Sequence, residues 1–278
     1  MDILLDFLEV FKKGGLRVLL ILFLFVVVER RFFARKYVDA SSLIFNVKWI
    51  FVYGVLGYIF TFLAVDNFIP FLKNTLGLTP LLQLPRPGNI YHEVFYWYLS
   101  FIYLEFFYYW LHRMQHEVPF LWSMHKFHHS ERQFQVSTAV RNHLFEIPIN
   151  SFCIYALGYL ILDFQLMYPK VFLLGVSFYS YLAHMNVRLH LGRLGLFIGG
   201  PQIHRLHHSF LRQHINKNYS TFFPLWDKVF GTLVLPEKDE YVDTGLSDGG
   251  DCSLSDGVFS PFEFLMNKFK RDGVGKRN

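Results

Sequence analysis

His112-Arg113-Met114-Gln115-His116 and, nine residues further on, His125-Lys126-Phe127-His128-His129 form the stretch that decides how this chain is read; His204-Arg205-Leu206-His207-His208 echoes it. On a helix, residues three and four apart share a face, so His112 pairs with His116, His125 with His128 and His129, and His204 with His207 and His208. Eight imidazoles thus fall into three one-sided clusters. Imidazole nitrogen is the commonest protein ligand for Zn, Cu, Fe and Ni, and a tetrahedral site takes about four donors, so eight aligned donors point to two metals rather than one. Histidines scattered through a core or a surface would not repeat a spacing in this way.

Outward from these boxes the chain is apolar. Of its 278 residues 53% are hydrophobic, with 33 Phe, 16 Tyr and 5 Trp, against the roughly 45–50% of soluble domains. A membrane protein is expected. Cys153 and Cys252 give neither a disulfide framework nor a thiolate metal site. The net charge of +5 fits cationic cytoplasmic loops, and with no basic stripe interleaved with aromatics it does not indicate nucleic acid. Asp2 and Asp6 near the start, with no small-residue cleavage site after the first apolar run, argue against a removable signal peptide.

Helical spacing predicts a short surface helix over Ile3–Phe11 and five spans: Leu16–Val28, Trp49–Val65, Phe95–Leu111, Ile147–Met167 and Val171–Ala183. Pro70, Pro80, Pro85 and Pro87 exclude a long helix between the second and third. A chain crossing at each step returns His112, His143 and His184 to one side, and the Lys and Arg of segments 29–48 and 112–143 name that side cytoplasmic. The expected fold class is therefore all-α, a multi-pass membrane helical bundle with a cytoplasmic histidine-rich cap. Its expected parts are N-terminal membrane helices and loop (1–94), a histidine-box domain (95–235), and an acidic loop followed by a C-terminal amphipathic helix (236–278). Residues 237–256 read as a solvated acidic, Gly-rich loop, and Phe259, Phe262, Leu265, Met266 and Phe269 as the apolar face of an interfacial or capping helix.

The donor set narrows the chemistry. It lacks the Glu-x-x-His pattern of carboxylate-bridged di-iron bundles and the His-Glu-x-x-His of hydrolytic zinc sites. A nitrogen-rich pair of metals beside an apolar bundle suits O2 activation next to a lipid tail, whose C–H bonds no side-chain acid or base can attack. At these residues, over roughly Phe95–Leu235, the chain resembles the fatty acid hydroxylase and sterol desaturase superfamily, multi-pass membrane enzymes that use a histidine-bound di-iron centre and O2 to hydroxylate or desaturate lipids. The resemblance carries over to His112 and His116 as the first box, His125, His128 and His129 as the second, and His204, His207 and His208 as the last. It implies a ninth ligand at His184, which stands with Met185-Asn186 twenty residues before the last box. Arg141-Asn142-His143-Leu144-Phe145-Glu146 is similar to a family His-Pro-x-Glu segment with Leu in place of Pro, which leaves His143 a supporting role. The first-box spacing with Glu117, and Ser137-Thr138-Ala139-Val140-Arg141 after the second box, look more like the alkylglycerol monooxygenase and bacterial sterol-desaturase-like branch, and favour hydroxylation over desaturation.

The resemblance implies two Fe ions, with zinc an alternative occupant of purified protein, and O2 as co-substrate. It also implies a lipid substrate in the membrane. No Gly-x-Gly-x-x-Gly and no haem-attachment motif is present, so the electrons are expected from a separate cytochrome, ferredoxin or reductase. Glu105, seven residues before His112 and on about the same helix face, is a candidate acceptor for an imidazole N–H, and Glu117, Glu131, Asp227, His143 and Asn186 are further candidates for orienting ligands. The rival reading is a histidine-lined metal transporter, which would place its ligands in mid-span rather than at span ends.

Overall fold

The computed structural model describes residues 16–35, 40–83, 88–162, 175 and 178–274; across them the chain is helical, with two isolated bridges and no strand. The first helices are α1 (Leu16–Phe32) and α2 (Ser41–Phe62), the latter running through a π-helical turn (Leu63–Phe68) into α3 (Ile69–Asn74). Then come α4 (Ile90–Glu117), α5 (Pro119–His129), a 3-10 turn (Val136–Val140), α6 (Glu146–Asn150), a second π-helical turn (Ser151–Ala156) and α7 (Leu157–Ile161). Residues 178–183 are helical again. A 3-10 turn (Gly192–Leu196), α8 (Pro201–His207), α9 (Leu225–Val229) and α10 (Asp256–Val274) complete the order.

Local chemistry sets the ends that matter. Asn89 opens α4 by accepting the His92 N–H at 3.0 Å, a side-chain N-cap. Extended Val118 closes it, and Pro119, which has no N–H to lose at a first helical position, opens α5 at once. One residue thus separates two helices, which folds α5 back so that the end of α4 and the end of α5 lie against each other. α4 runs beyond the expected span limit at Leu111, and His112 and His116 both lie within it.

Two apolar clusters hold the rest to this hairpin. Leu22 and Ile50 pack with Val136, Val140, Tyr181 and Met185; Trp49 packs with Phe127 and Cys252. Between them runs a buried polar seam. Glu29 at the end of α1 accepts the backbone N–H of Val136 at 2.9 Å and of Asn186 at 2.6 Å. Glu131, 4% exposed, takes Ser42, Asn46 and the Arg141 guanidinium. Charge this deep persists only when it is paired.

Several expectations change here. Among the described residues no helix is long and apolar enough to cross a membrane, so the multi-pass part of the expected fold class does not emerge although its all-helical part does. α1 has 17 residues, short of the roughly 20 that a bilayer requires. The expected fourth span is divided among α6, a π turn and α7, and its remainder, residues 171–174 and 176–177 of the fifth span and the Ile3–Phe11 helix lie outside the described residues. Large apolar side chains nevertheless face outward: Leu20, Phe23 and Leu24 on α1, and Val94, Phe95 and Tyr98 on α4.

The 237–256 segment is the loop its composition indicates, exposed along much of its length but pinned at the buried Tyr241, Thr244 and Cys252. Arg205 Nε donates to the Val242 carbonyl at 2.7 Å, Arg141 Nη2 to the Cys252 carbonyl at 2.8 Å, and Tyr241 is buried with the Arg205 guanidinium 4.0 Å over its ring. Cations belonging to the boxes pull this strap down. It delivers α10 onto α5, where a Cβ on Gly257 would come within 2.9 Å of both Phe127 and Trp49. Phe259, Phe262, Met266 and Phe269 of α10 remain exposed. Gly257→Val is expected to cost about 1–3 kcal/mol through overpacking, read as a lowered thermal midpoint together with faster proteolysis within α10.

Candidate metal centre

Each histidine is delivered by an element whose geometry is already fixed. The end of α4 carries His112 and His116, α5 carries His125, His128 and His129, and α8 carries His204 and His207 with His208 at its cap. His184 lies just past the helical residues 178–183. The ring nitrogens converge as two groups. His112, His116, His125, His129 and His207 offer one set of donor atoms within 4.8 Å of one another, and His128, His184, His204 and His208 a second. The nine expected ligands are the nine histidines of the two groups. The groups touch: the His129 and His208 rings stack at 4.2 Å.

The outer nitrogens are spoken for. His112 Nδ1 donates to the Tyr219 carbonyl at 2.6 Å, His125 Nδ1 to Glu146 Oε1 at 2.6 Å, and His128 Nδ1 to the Arg141 carbonyl at 3.1 Å. His184 Nδ1 donates to the Ser180 carbonyl at 2.7 Å and His207 Nδ1 to the Lys217 carbonyl at 2.8 Å. A carbonyl or carboxylate only accepts, so each of these rings carries its proton on Nδ1 and turns an Nε2 lone pair inward. Those lone pairs face one another, 3.0 Å between His112 and His125, 3.1 Å between His112 and His207 and 3.2 Å between His128 and His184, and His204 Nε2 approaches that of His184 at 3.0 Å. Two lone pairs at such distances repel unless a positive charge lies between them.

Other nitrogens make the same point. His116 Nε2, His129 Nε2 and both ring nitrogens of His208 are buried without a hydrogen-bond partner, a state that costs free energy unless something else satisfies them. Burial, and after it the neighbouring imidazoles, hold His116, His128, His129, His204 and His208 well below the usual imidazole range. Burial brings His184 to about 4 and His207 to about 3. Neutral imidazoles with free lone pairs are what a divalent metal binds. The residues fit a pair of nitrogen-ligated metals.

The carboxylates work at one remove. Glu105 does not meet an imidazole; its Oε1 accepts the backbone N–H groups of Thr221 and Phe222, each at 2.7 Å. Asp227, 1% exposed, accepts those of Tyr219 and Ser220 at 2.8 and 2.7 Å and the Thr232 hydroxyl at 2.7 Å. Together they clamp the loop whose Tyr219 carbonyl holds His112. Glu117 is half-exposed, paired with Arg113 at 2.9 Å, and takes the Tyr219 hydroxyl at 3.3 Å. Asn186 touches Arg35 and Tyr241 rather than an imidazole. The His143 ring lies outside both groups; its backbone N–H, not its ring, helps by donating to Glu146 Oε2 at 2.8 Å.

Glu146 is the acid that sequence reasoning passed over. It is 1% exposed and receives His125, the Gln115 amide at 3.1 Å and His143. Its signal was present, since Glu146 closes the Arg141–Glu146 segment that resembles a family motif, but only His143 of that segment was given a role. The carbonyls of Tyr219, Arg141, Ser180 and Lys217 left no signal, because every residue has one.

An apolar cavity of about 450 Å³ reaches His125, His128, His184 and His204. Ile50, Leu104, Val140 and Ile154 are among the side chains that wall it.

Residues 97–232 match the family described as fatty acid hydroxylase. Human alkylglycerol monooxygenase is 37% identical over 140 residues, 49% of this chain and 30% of the relative. An ornithine lipid hydroxylase of Rhizobium tropici is 28% identical over 207 residues, 69% of this chain and 60% of the relative. A delta(7)-sterol 5(6)-desaturase of Gibberella zeae is 26% identical over 172 residues, 60% and 46%. The match spans about a third of the length of the vertebrate alkylglycerol monooxygenases. No solved structure matches the chain.

Removing the His125 anchor should loosen one metal and spare the other. Glu146→Ala is expected to weaken one of two bound metals about 10–100-fold, seen as a second, weaker step when purified protein is titrated with a chelator.

Proposed function

Because residues 97–232 of this chain are a fatty acid hydroxylase domain whose relatives are lipid hydroxylases, monooxygenases and sterol desaturases, we propose that the protein is an O2-dependent, di-iron lipid hydroxylase. The observation that carries the reading is the apolar cavity that ends on histidines of a nine-imidazole, two-group site. Desaturation shares these ligands, and which C–H bond is attacked follows from where the tail lies rather than from the donor set.

Two irons would be held by His112, His116, His125, His129 and His207 and by His128, His184, His204 and His208. Bound there, they supply the redox chemistry that opens an unactivated C–H bond with O2. The chain does the rest. Glu146 and the carbonyls of Tyr219, Arg141, Ser180 and Lys217 keep the imidazoles in one tautomer and one orientation. Ile50, Leu104, Val140 and Ile154 exclude water from the cavity and receive the tail. Glu105 and Asp227 hold the 219–222 loop, so the His112 anchor does not drift. Two electrons per turnover would come from an external cytochrome, ferredoxin or reductase.

The substrate arrives from a membrane in this reading. The outward apolar side chains of α1 and α4 and of the α10 face support contact with lipid, and the Lys and Arg pattern supports a histidine face toward the cytoplasm. Iron would be measured in protein purified without chelator, followed by incubation with extracted lipids, a chemical reductant and isotopically labelled O2. A lipid gaining one labelled oxygen atom, lost in His129→Ala, is the expected result; protein that binds no iron and leaves every lipid mass unchanged overturns the proposal.

A further inference from the structure

Polar side chains in an apolar cavity need partners; several of those lining this one have them, while Thr221 Oγ1 and Asn150 Oδ1 are buried with none. Glu105 is taken up by two backbone N–H groups, and Asn142 Nδ2 donates to the Ala139 carbonyl at 3.0 Å. Asn150 also lines the cavity, yet its Oδ1 is buried with no hydrogen-bond partner. The segment offers cheap alternatives, since Ile147 and Ile154 line the same wall from the same helical run. An aliphatic residue at 150 would remove an orphaned acceptor.

The position of Asn150 gives it a use. It is the last residue of α6, four after Glu146, the carboxylate that anchors His125. One helical turn rises about 5.4 Å, and residues four apart share a face. Immediately after it the helix widens into the π turn Ser151–Ala156, a form that recurs where a helix serves a functional site. The amide therefore stands about one turn from Glu146, the acid that holds His125. Its terminal torsion is two-fold, so it can present either its oxygen or its NH2 to a ligand. A hydroxyl, which donates and accepts, is the group that satisfies it either way; an ether or ester oxygen only accepts.

We propose that Asn150 selects the substrate: its carboxamide hydrogen-bonds a hydroxyl group on the lipid, and its one-turn distance from Glu146 sets that hydroxyl within a few bonds of the carbon presented to the histidines. This rests on the reading of the cavity as the lipid site. The substrate class is accordingly a hydroxyl-bearing lipid, not a plain hydrocarbon tail.

Binding to the full-length, iron-loaded protein in detergent tests this without an electron donor. The probes are 1-hexadecanol, 1-methoxyhexadecane and hexadecane, each measured against wild type and Asn150→Leu, so that partition into detergent cancels in the ratio between proteins. Asn150→Leu is expected to weaken 1-hexadecanol about tenfold, the scale of one hydrogen bond, to weaken the ether less, and to leave hexadecane unchanged. Unchanged hexadecane affinity and iron content report an intact fold; if Asn150→Leu loses both, Asn150→Ala is measured on the same terms. An equal change for alcohol and alkane, or none for either, overturns the role of Asn150 and leaves the lipid cavity standing. Failure of all three probes to bind wild type overturns the cavity reading and this proposal with it.

Discussion

The structure depends on one constraint: the imidazoles must carry their protons outward. Each anchored Nδ1–H ends on an oxygen that can only accept, and this fixes which nitrogen is left with a lone pair. The rings could otherwise rotate or exchange tautomers and hydrogen-bond to one another as donor and acceptor. With the outward bonds made, the inner face becomes a wall of lone pairs that only positive charge relieves.

The anchoring oxygens need support in turn, and the protein provides it with buried carboxylates rather than with packing alone. Asp227 and Glu105 grip backbone N–H groups of residues 219–222, and Glu29 grips those of Val136 and Asn186, the latter two residues beyond His184. A carboxylate holding two N–H groups positions a loop more sharply than apolar contact does, because hydrogen bonds are directional while hydrophobic burial is not. The outlay is desolvation of several acids. Arg141, Arg205 and the backbone donors offset it, and the same arginines pull the 237–256 strap over the site.

Beside this polar cap lies an apolar cavity, and the two share a border. His125, His128, His184 and His204 belong to both, so whatever occupies the cavity lies against ligands from each group. The α6 segment carries both sides of that border: Glu146 looks to the metal site, and Asn150, one turn later, lines the cavity.

The sequence by itself picked out the histidines that converge. Repeated three- and four-residue spacings put His112 with His116, His125 with His128 and His129, and His204 with His207 and His208 on shared helical faces, and resemblance to a family added His184. It also determined the all-helical character. Only the tertiary structure decided the division into five and four, since His128 departs from its neighbours His125 and His129 to join His184, His204 and His208. It alone assigned Glu105 and Asp227 to a loop instead of to imidazoles, laid the acidic strap onto arginines, and showed α1, α2 and α4 longer than the expected spans and the fourth span interrupted. The physical reason is that spacing along a helix is a local property fixed by 3.6 residues per turn. Which oxygen meets which ring nitrogen depends on contacts between residues about a hundred positions apart, such as His112 with Tyr219, and a backbone carbonyl carries no mark in the sequence.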